Sequence, residues 1–166
     1  MDKQEKITIL EKEHQLLKKI LDNLNEKQII ESTIIGNWTV KDVLAHLSAW
    51  NWEDIKGVDL LTKNQKPWSI DIDDKEVDLF NQQEITDRKH WPIKLVIQEW
   101  EDSFNRLIVK LGQVTDDHWS LDTKLKYADG KQLTIESFFE YSYNGEGHEG
   151  GHAKQIVEAF KLKDEA

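Results

Sequence analysis

Apolar residues recur every three or four positions along the first part of the chain, with Glu and Lys between them. This spacing predicts an amphipathic helix over residues 2–24. His14 occupies a position where the pattern expects Leu, so we expect it in the core or at a pocket wall. The apolar face comprises Ile7, Leu10, His14, Leu17, Leu21 and Leu24.

A second helix is predicted to begin after Thr39, because Asp42 stands three residues on as a capping partner. Residues 25–38 before it are predicted to be a loop. The helix should end near Thr62, and His46 lies on the flank of its apolar face. That face comprises Val40, Val43, Leu44, Leu47, Trp50 and Ile55.

Helical periodicity resumes near Asp74 and is interrupted near Pro92, a residue that suits the first turn of a new helix. The stripe that follows is the most regular in the chain, and Gly112 is predicted to end it. Residues 113–133 are irregular, with a tight-turn signal at 128–131 that can join two very short strands. The stripe comprises Ile93, Ile97, Trp100, Phe104, Leu107 and Leu111.

The last helix is predicted to begin after Thr134 and to continue past His152. Its apolar residues are Ile135, Phe138, Phe139, Ile156, Val157 and Phe160. These helices together predict an all-α four-helix bundle with long connections and an extra short helical segment. A chain of 166 residues suits one domain, which we expect to span residues 1–166.

Composition narrows the classes of function. The net charge of −10 argues against nucleic acid or an anionic membrane as a partner, since both require a basic face. The chain has no cysteine, which excludes disulfides, thiolate ligands and cysteine nucleophiles. No apolar run of signal-peptide or membrane-spanning length is present, so we expect a cytoplasmic protein. Seven tryptophans favour a pocket with aromatic walls.

Two histidines near the C-terminal end carry the strongest chemical signal. His148 and His152 are four residues apart, so on a helix both imidazoles leave the same side, one turn apart. If the two Thr-capped helices lie side by side, His46 can join them. Three neutral imidazoles then leave one metal position free for water, as in catalytic zinc sites. The alternative is that His46 is only a hydrogen-bonded helix histidine.

The same segment matches the His-Glu-x-x-His pattern of zinc proteases, in which the Glu is a general base. The downstream carboxylates, Glu158 and Glu165, lie on the continuing helix, so a protease site is disfavoured. Glu149 is still a candidate catalytic base, although it points about 100° away from His148 around the helix axis. Gly145, Gly147, Gly150 and Gly151 are costly in a helix and predict close approach of another group, or a local break.

The remaining candidates are weaker. His90 and His118 stand in loop-like surroundings and should be solvated. Trp50 falls one turn after His46 and is the best candidate for a pocket wall. Asp42, one turn before His46, can orient that imidazole, but its role as a helix cap is the simpler expectation.

The stretch Trp38-Thr39-Val40-Lys41-Asp42-Val43-Leu44-Ala45-His46-Leu47 resembles the start of the second helix in the DinB/YfiT-like superfamily. His148-x-x-x-His152-x-x-Gln155-Ile156 is similar to its last-helix motif. The resemblance implies a four-helix bundle, often dimeric, that binds a divalent metal through His46, His148 and His152. Asn81, and Trp100 with Ser103, resemble the ClbS/DfsB-type subgroup, which does not generally show this histidine triad.

The superfamily includes thiol-dependent transferases and isomerases, hydrolases and stress-induced proteins. The resemblance therefore implies a metal-dependent hydrolase or thiol-dependent transferase that acts on a small molecule, with a low-molecular-weight thiol as a possible co-substrate. Imidazole ligands suit zinc, nickel or iron, and also copper. Two alternatives stay open: a non-catalytic small-molecule binding or stress-protection protein with a Trp-lined cavity, and a structural bundle that dimerises through the glycine-rich helix.

Overall fold

The chain folds into a helical bundle with one small β-hairpin, as seen in a computed structural model that describes residues 1–162. Along this part of the chain the elements are α1 (Lys3–Asp22), α2 (Glu26–Glu31), β1 (Thr33–Ile35), β2 (Trp38–Thr39), α3 (Val40–Thr62), a 3-10 turn (Trp68–Ile70), α4 (Asp74–Arg88), α5 (Ile93–Gln113), α6 (Asp116–Trp119), α7 (Ile135–Phe138) and α8 (His148–Phe160).

Four long helices form the bundle, which confirms the predicted fold class. Helix α3 packs mainly against α5, and α1 packs mainly against α8, while α4 is the extra segment and lies against α3. The larger core lies between these four helices; its fully buried members include Leu17, Val43, Leu44, Trp100 and Ile156. A second apolar cluster, built around Leu107, Leu111 and Leu133, closes the other end of the bundle.

The cap predicted for α3 is present. The backbone N–H of Thr39 donates to Asp42 Oδ2 at 2.8 Å, and the N–H of Asp42 donates to Thr39 Oγ1 at 3.2 Å. This reciprocal capping box fixes the start of α3 and therefore the rotation of its apolar face. Asp42 is thus a helix cap, and its carboxylate makes no hydrogen bond to His46.

The predicted continuous last helix is wrong. Thr134 does cap a helix, but α7 stops after one turn and α8 begins only at His148. Between them, Tyr143 and Glu146 pair across a turn in which Asn144 and Gly145 have φ of 53° and 80°. Positive φ at two successive residues is incompatible with a right-handed helix, and Asn-Gly is the pair that adopts it most readily.

Two loop predictions need smaller corrections. The segment 25–38, expected to be irregular, contains α2, β1 and the first residue of β2, and the hairpin turns at Gly36 with φ of 54°. The tight turn at 128–131 is confirmed: Gly130 has φ of 85°, and Lys126 and Gln132 form a single antiparallel bridge beside it. Within residues 1–162, no helix combines the length and apolar character needed to cross a membrane.

Candidate metal centre

Three histidines meet where α3 faces the start of α8. Nε2 of His46 lies 2.8 Å from Nε2 of His148, and the imidazole rings of His46 and His148 both have their centroids 5.2 Å from that of His152. One ring nitrogen from each histidine lies within 4.8 Å of the other two. Such a cluster has the size and ligand type of a divalent-metal site. The residues predicted to converge are therefore brought together.

The local sequence explains this convergence. The capping box at Thr39 places His46 in the second turn of α3, on the side that faces α8. His148 is the first residue of α8, and His152 follows one turn later. His46 and His152 are buried, while His148 is half-buried at the mouth of the site.

Amide side chains orient two of the rings. The Oδ1 atom of Asn81, on α4, lies 2.9 Å from His46 Nδ1 and also accepts a 2.9 Å hydrogen bond from Trp50 Nε1–H. A carbonyl oxygen only accepts, so His46 carries its proton on Nδ1 and presents a lone pair on Nε2. Neighbours of this kind select the tautomer that a metal requires.

The same arrangement recurs at His152. Its Nδ1 lies 2.9 Å from Gln155 Oε1, and Gln155 Nε2–H donates to the Tyr143 hydroxyl at 2.6 Å. In this arrangement the oxygen of Gln155 faces the imidazole, and a carbonyl oxygen only accepts, so His152 carries its proton on Nδ1. The lone pair of His152 is therefore on Nε2, as in His46.

The environment keeps the imidazoles neutral. Burial, with a contribution from His152, lowers the pKa of His46 from 6.5 to about 3. Burial lowers the pKa of His152 to about 4, opposed by the hydrogen bond to Gln155. Burial and the two neighbouring imidazoles lower the pKa of His148 as well. Neutral histidines are the form that binds metal, so near neutral pH no proton has to be displaced from a charged ring.

A buried carboxylate from α1 holds the start of α8. Glu13 Oε1 accepts the backbone N–H of Gly147 at 2.7 Å, and Oε2 accepts that of Gly150 at 3.3 Å. A Cβ atom on Gly150 would lie 2.8 Å from Glu13 Cδ, closer than side chains normally approach. A Cβ atom on Gly151 would lie 2.5 Å from the backbone oxygen of Tyr143. Close approach is therefore the reason for these glycines.

Glu149 lies on a different side of α8 from the histidine cluster. Its Oε2 is 2.8 Å from His14 Nδ1, and its Oε1 accepts a 2.8 Å hydrogen bond from Trp100 Nε1–H. His14 is buried, as expected, and stacks on Phe104 with ring centroids 3.8 Å apart. Because both carboxylate oxygens already accept from core groups, the catalytic role of Glu149 stays a prediction.

The remaining histidines and carboxylates lie elsewhere. His90 and His118 are exposed, as expected. Glu158 is exposed on α8, and within residues 1–162 it belongs to no metal-compatible cluster. Glu165 lies outside the described residues. Asn81 entered the sequence analysis only through a resemblance, and its distance of 35 positions from His46 left no local signal for the contact between them.

An open cleft of about 2030 Å³ begins at the three histidines and extends along α3. The half-buried indole of Trp50 forms part of its wall and stacks against Trp68 with ring centroids 6.2 Å apart. Trp50 therefore lines a pocket, as predicted. All three histidines line this cleft, so a small molecule bound in it would lie beside the cluster.

The sequence profile of the DinB superfamily matches residues 9–156. The chain belongs to the DinB superfamily. No curated protein sequence matches it closely enough to count as a relative. Among solved structures, a Streptococcus pneumoniae protein is similar with a TM-score of 0.76 and 15% identity, over 98% of this chain and 92% of that one.

Two further structures share the DinB fold at low identity. The colibactin self-resistance protein ClbS, solved in complex with double-stranded DNA, aligns with a TM-score of 0.71 and 13% identity, over 98% of this chain and 97% of that one. A mycothiol-dependent maleylpyruvate isomerase aligns with a TM-score of 0.68 and 15% identity, over 100% of this chain and 62% of that one. At such identities the likeness concerns the fold.

Proposed function

We propose that this protein is a metal-dependent enzyme that acts on a small molecule at a divalent metal held by His46, His148 and His152. The observation that carries the proposal is the convergence of three neutral imidazoles at the end of a solvent-accessible cleft. A divalent metal in such a site supplies Lewis acidity, which lowers the pKa of bound water or of a bound thiol.

The protein's own side chains prepare that chemistry. Asn81 and Gln155 hold Nδ1 of His46 and of His152, so that Nε2 of each ring stays available to the metal. The wall of the cleft positions the substrate and partly excludes water. Three protein ligands leave room for a substrate atom in a tetrahedral site, which favours catalysis over a purely structural metal.

Two reaction types fit this geometry: hydrolysis and transfer to a thiol. The chain contains no cysteine, so a thiol nucleophile would have to come from a small co-substrate. The name of the mycothiol-dependent isomerase, which shares the fold, supports the thiol alternative. Assays of untagged, metal-loaded protein with hydrolysable esters and amides, and with electrophiles plus thiols, separate the two reactions.

A second candidate function is sequestration of a small molecule without turnover. The size of the cleft, its aromatic wall and the fold shared with a self-resistance protein favour it. Metal analysis of untagged protein separates the candidates. About one equivalent per chain, lost in His46→Ala and His152→Ala but kept in His90→Ala, supports the enzyme. Ligand binding by protein that takes up no metal supports sequestration. Homodimer formation and a cytoplasmic location stay predictions.

A further inference from the structure

The carboxylate of Asp54 lies in the cleft at a distance from the three histidines. Asp54 lies on α3 eight residues after His46, with Trp50 midway between them, and all three line the same cleft. Eight residues of α-helix rise about 12 Å, so Asp54 is two turns along the cleft wall from the proposed metal position. A ligand that reaches both points must pass Trp50.

The carboxylate of Asp54 has no protein partner among residues 1–162. It is half-buried, yet it makes no hydrogen bond or ion pair with any group of that range. The other half-buried acid of the cleft, Asp42, is engaged in the cap of α3. The exposed Asp129 accepts the backbone N–H of Lys131 at 3.0 Å and pairs with its ammonium group, also at 3.0 Å.

The surroundings of Asp54 disfavour the ionised form of its carboxyl group. Burial raises the pKa of Asp54 to about 7; neighbouring Glu53 adds to the rise and Lys6 opposes it. Lys6 lines the cleft too, but it forms no ion pair with Asp54 within the described residues. A partly desolvated carboxylate without a partner gains most from a ligand that brings a charged hydrogen-bond donor.

The surroundings favour a cation over an anion. Phe138 lines this part of the cleft and packs so closely on Gly57, one turn after Asp54, that a Cβ atom there would lie 2.8 Å from Phe138 Cε1. Aromatic faces such as those of Phe138 and Trp50 attract ammonium groups. Seven acids and four lysines line the cleft: Glu26, Asp42, Asp54, Asp74, Asp78, Asp129 and Glu140, and Lys6, Lys41, Lys89 and Lys131.

We propose that Asp54 forms a second subsite that binds the primary ammonium group of a small-molecule ligand, with Trp50 and Phe138 as its aromatic walls. The substrate class is then an amine whose reacting group lies about 12 Å from its nitrogen, two helical turns away along the cleft. This proposal deepens the proposed function and rests on it for the reaction, but the ammonium subsite itself needs no metal.

The test uses the full chain after removal of metal by a chelator, so that its outcome is independent of the histidine cluster. Hexylamine, 1-hexanol and hexanoate are titrated calorimetrically at about pH 8, where hexylamine is cationic and Asp54 largely ionised. We expect hexylammonium to bind at least about tenfold more tightly than hexanol, and hexanoate to bind more weakly than both. A charge-assisted hydrogen bond accounts for a preference of that size.

Two variants locate the effect. Asp54→Asn keeps the shape of the side chain and should reduce hexylammonium affinity to that of hexanol, while unchanged hexanol affinity shows that the cleft is intact. Asp129→Asn removes a negative charge from the same cleft, but Asp129 is already paired with Lys131. This variant should therefore keep the preference for hexylammonium over hexanol. Equal binding of hexylammonium and hexanol to the wild type, or a preference that survives Asp54→Asn or disappears in Asp129→Asn, overturns the proposal.

Discussion

Helix α8 separates two groups of buried polar side chains that differ in one respect. On one side, Glu149 accepts hydrogen bonds from His14 and Trp100, so charge and donors are matched within the protein. On the other side, three neutral imidazoles converge with no carboxylate in their cluster, and the lone pair on Nε2 of His46 faces Nε2 of His148 at 2.8 Å. The first group is complete as a structural network. The second has the ligand type and the spacing that can hold a metal ion.

The largest expected effect comes from breaking the matched network. Glu149→Ala leaves the buried donors of His14 and Trp100 without an acceptor, and we expect the free energy of unfolding to fall by about 3–5 kcal/mol. His148→Ala, one residue away but in the unmatched cluster, should change it by less than about 1 kcal/mol in metal-free protein. Urea denaturation measures both.

If Glu149→Ala and His148→Ala lost equal amounts of unfolding free energy, the distinction between the Glu149 network and the histidine cluster would be contradicted. Glu149→Gln is the control for catalysis, since it keeps an acceptor and the shape of the side chain but cannot serve as a base. If that variant folds and keeps its turnover, Glu149 is structural; if it folds and loses turnover, the predicted catalytic role of Glu149 is supported.

The next effect concerns the carboxylate that holds the start of α8. In Gly150→Ala the added methyl group collides with Glu13, and we expect a loss of about 1–3 kcal/mol in unfolding free energy together with weaker metal binding. Gly112→Ala is the matched control: no atom lies within 4 Å of an added Cβ there, so helix propensity alone should stabilise it by up to about 1 kcal/mol. Thermal unfolding and metal titration of both variants test this.

Loss of a group that orients an imidazole should weaken metal binding less than loss of the imidazole itself. Asn81→Ala removes the acceptor for His46 Nδ1, and we expect metal affinity to fall about 10–100-fold, as is usual when the partner of a metal-binding histidine is lost. Asn81→Asp keeps an acceptor oxygen and should retain the affinity. Competition with a chromophoric chelator gives both values. Equal affinities of wild type and Asn81→Ala would show that Asn81 does not orient the ligand.

The smallest effect is a pH dependence of folding in the metal-free protein. An unfolded imidazole has a pKa near 6.5, whereas those of folded His46 and His152 are about 3 and about 4. Between pH 6.5 and about 4 these imidazoles bind protons in the unfolded state and not in the folded state, so their contribution to stability falls as pH falls. Asp54, whose pKa is raised to about 7, contributes in the opposite direction over this range, so a comparison of variants isolates the histidine contribution.

Replacing one of these histidines should flatten that dependence by at most about 1.4 kcal/mol per pH unit. Urea midpoints of His46→Ala and wild type across this range measure the difference. His90→Ala, which removes an exposed imidazole, should leave the slope unchanged. The same slope in His46→Ala and in the wild type would contradict the lowered pKa of His46.

Local patterns predicted the bundle and the shared side of His148 and His152, because apolar spacing and helix caps act over a few residues. The addition of His46 to that pair depended on two helices lying side by side, and the full triad was implied by the family resemblance. The 23-residue α3 begins at its capping box as expected. A continuous helix was preferred to the local break that the glycines also allowed, because the apolar residues on either side of the break kept a helical spacing. The turn at Asn144 and Gly145, and its pairing of Tyr143 with Glu146, decides the structure there.

Contacts between distant segments were beyond local patterns. Glu13 lies 134 positions before Gly147, and the two meet only because α1 packs on α8. Gly150 and Gly151 predicted a close approach, but they did not identify Glu13 and Tyr143 as the groups that approach. Asn81 is on α4, a weakly amphipathic helix whose register against α3 is set by tertiary packing. Such partners are found once the helices are assembled.

X-ray absorption spectroscopy of untagged, zinc-loaded protein tests the central claim most directly, since it counts and identifies the ligands. Three imidazole nitrogens at about 2.0–2.1 Å with one further light-atom ligand are the predicted result. The imidazole count should fall by one in His46→Ala. Zinc bound by two or fewer imidazoles, or a spectrum that His46→Ala leaves unchanged, would contradict the account of a shared three-histidine centre.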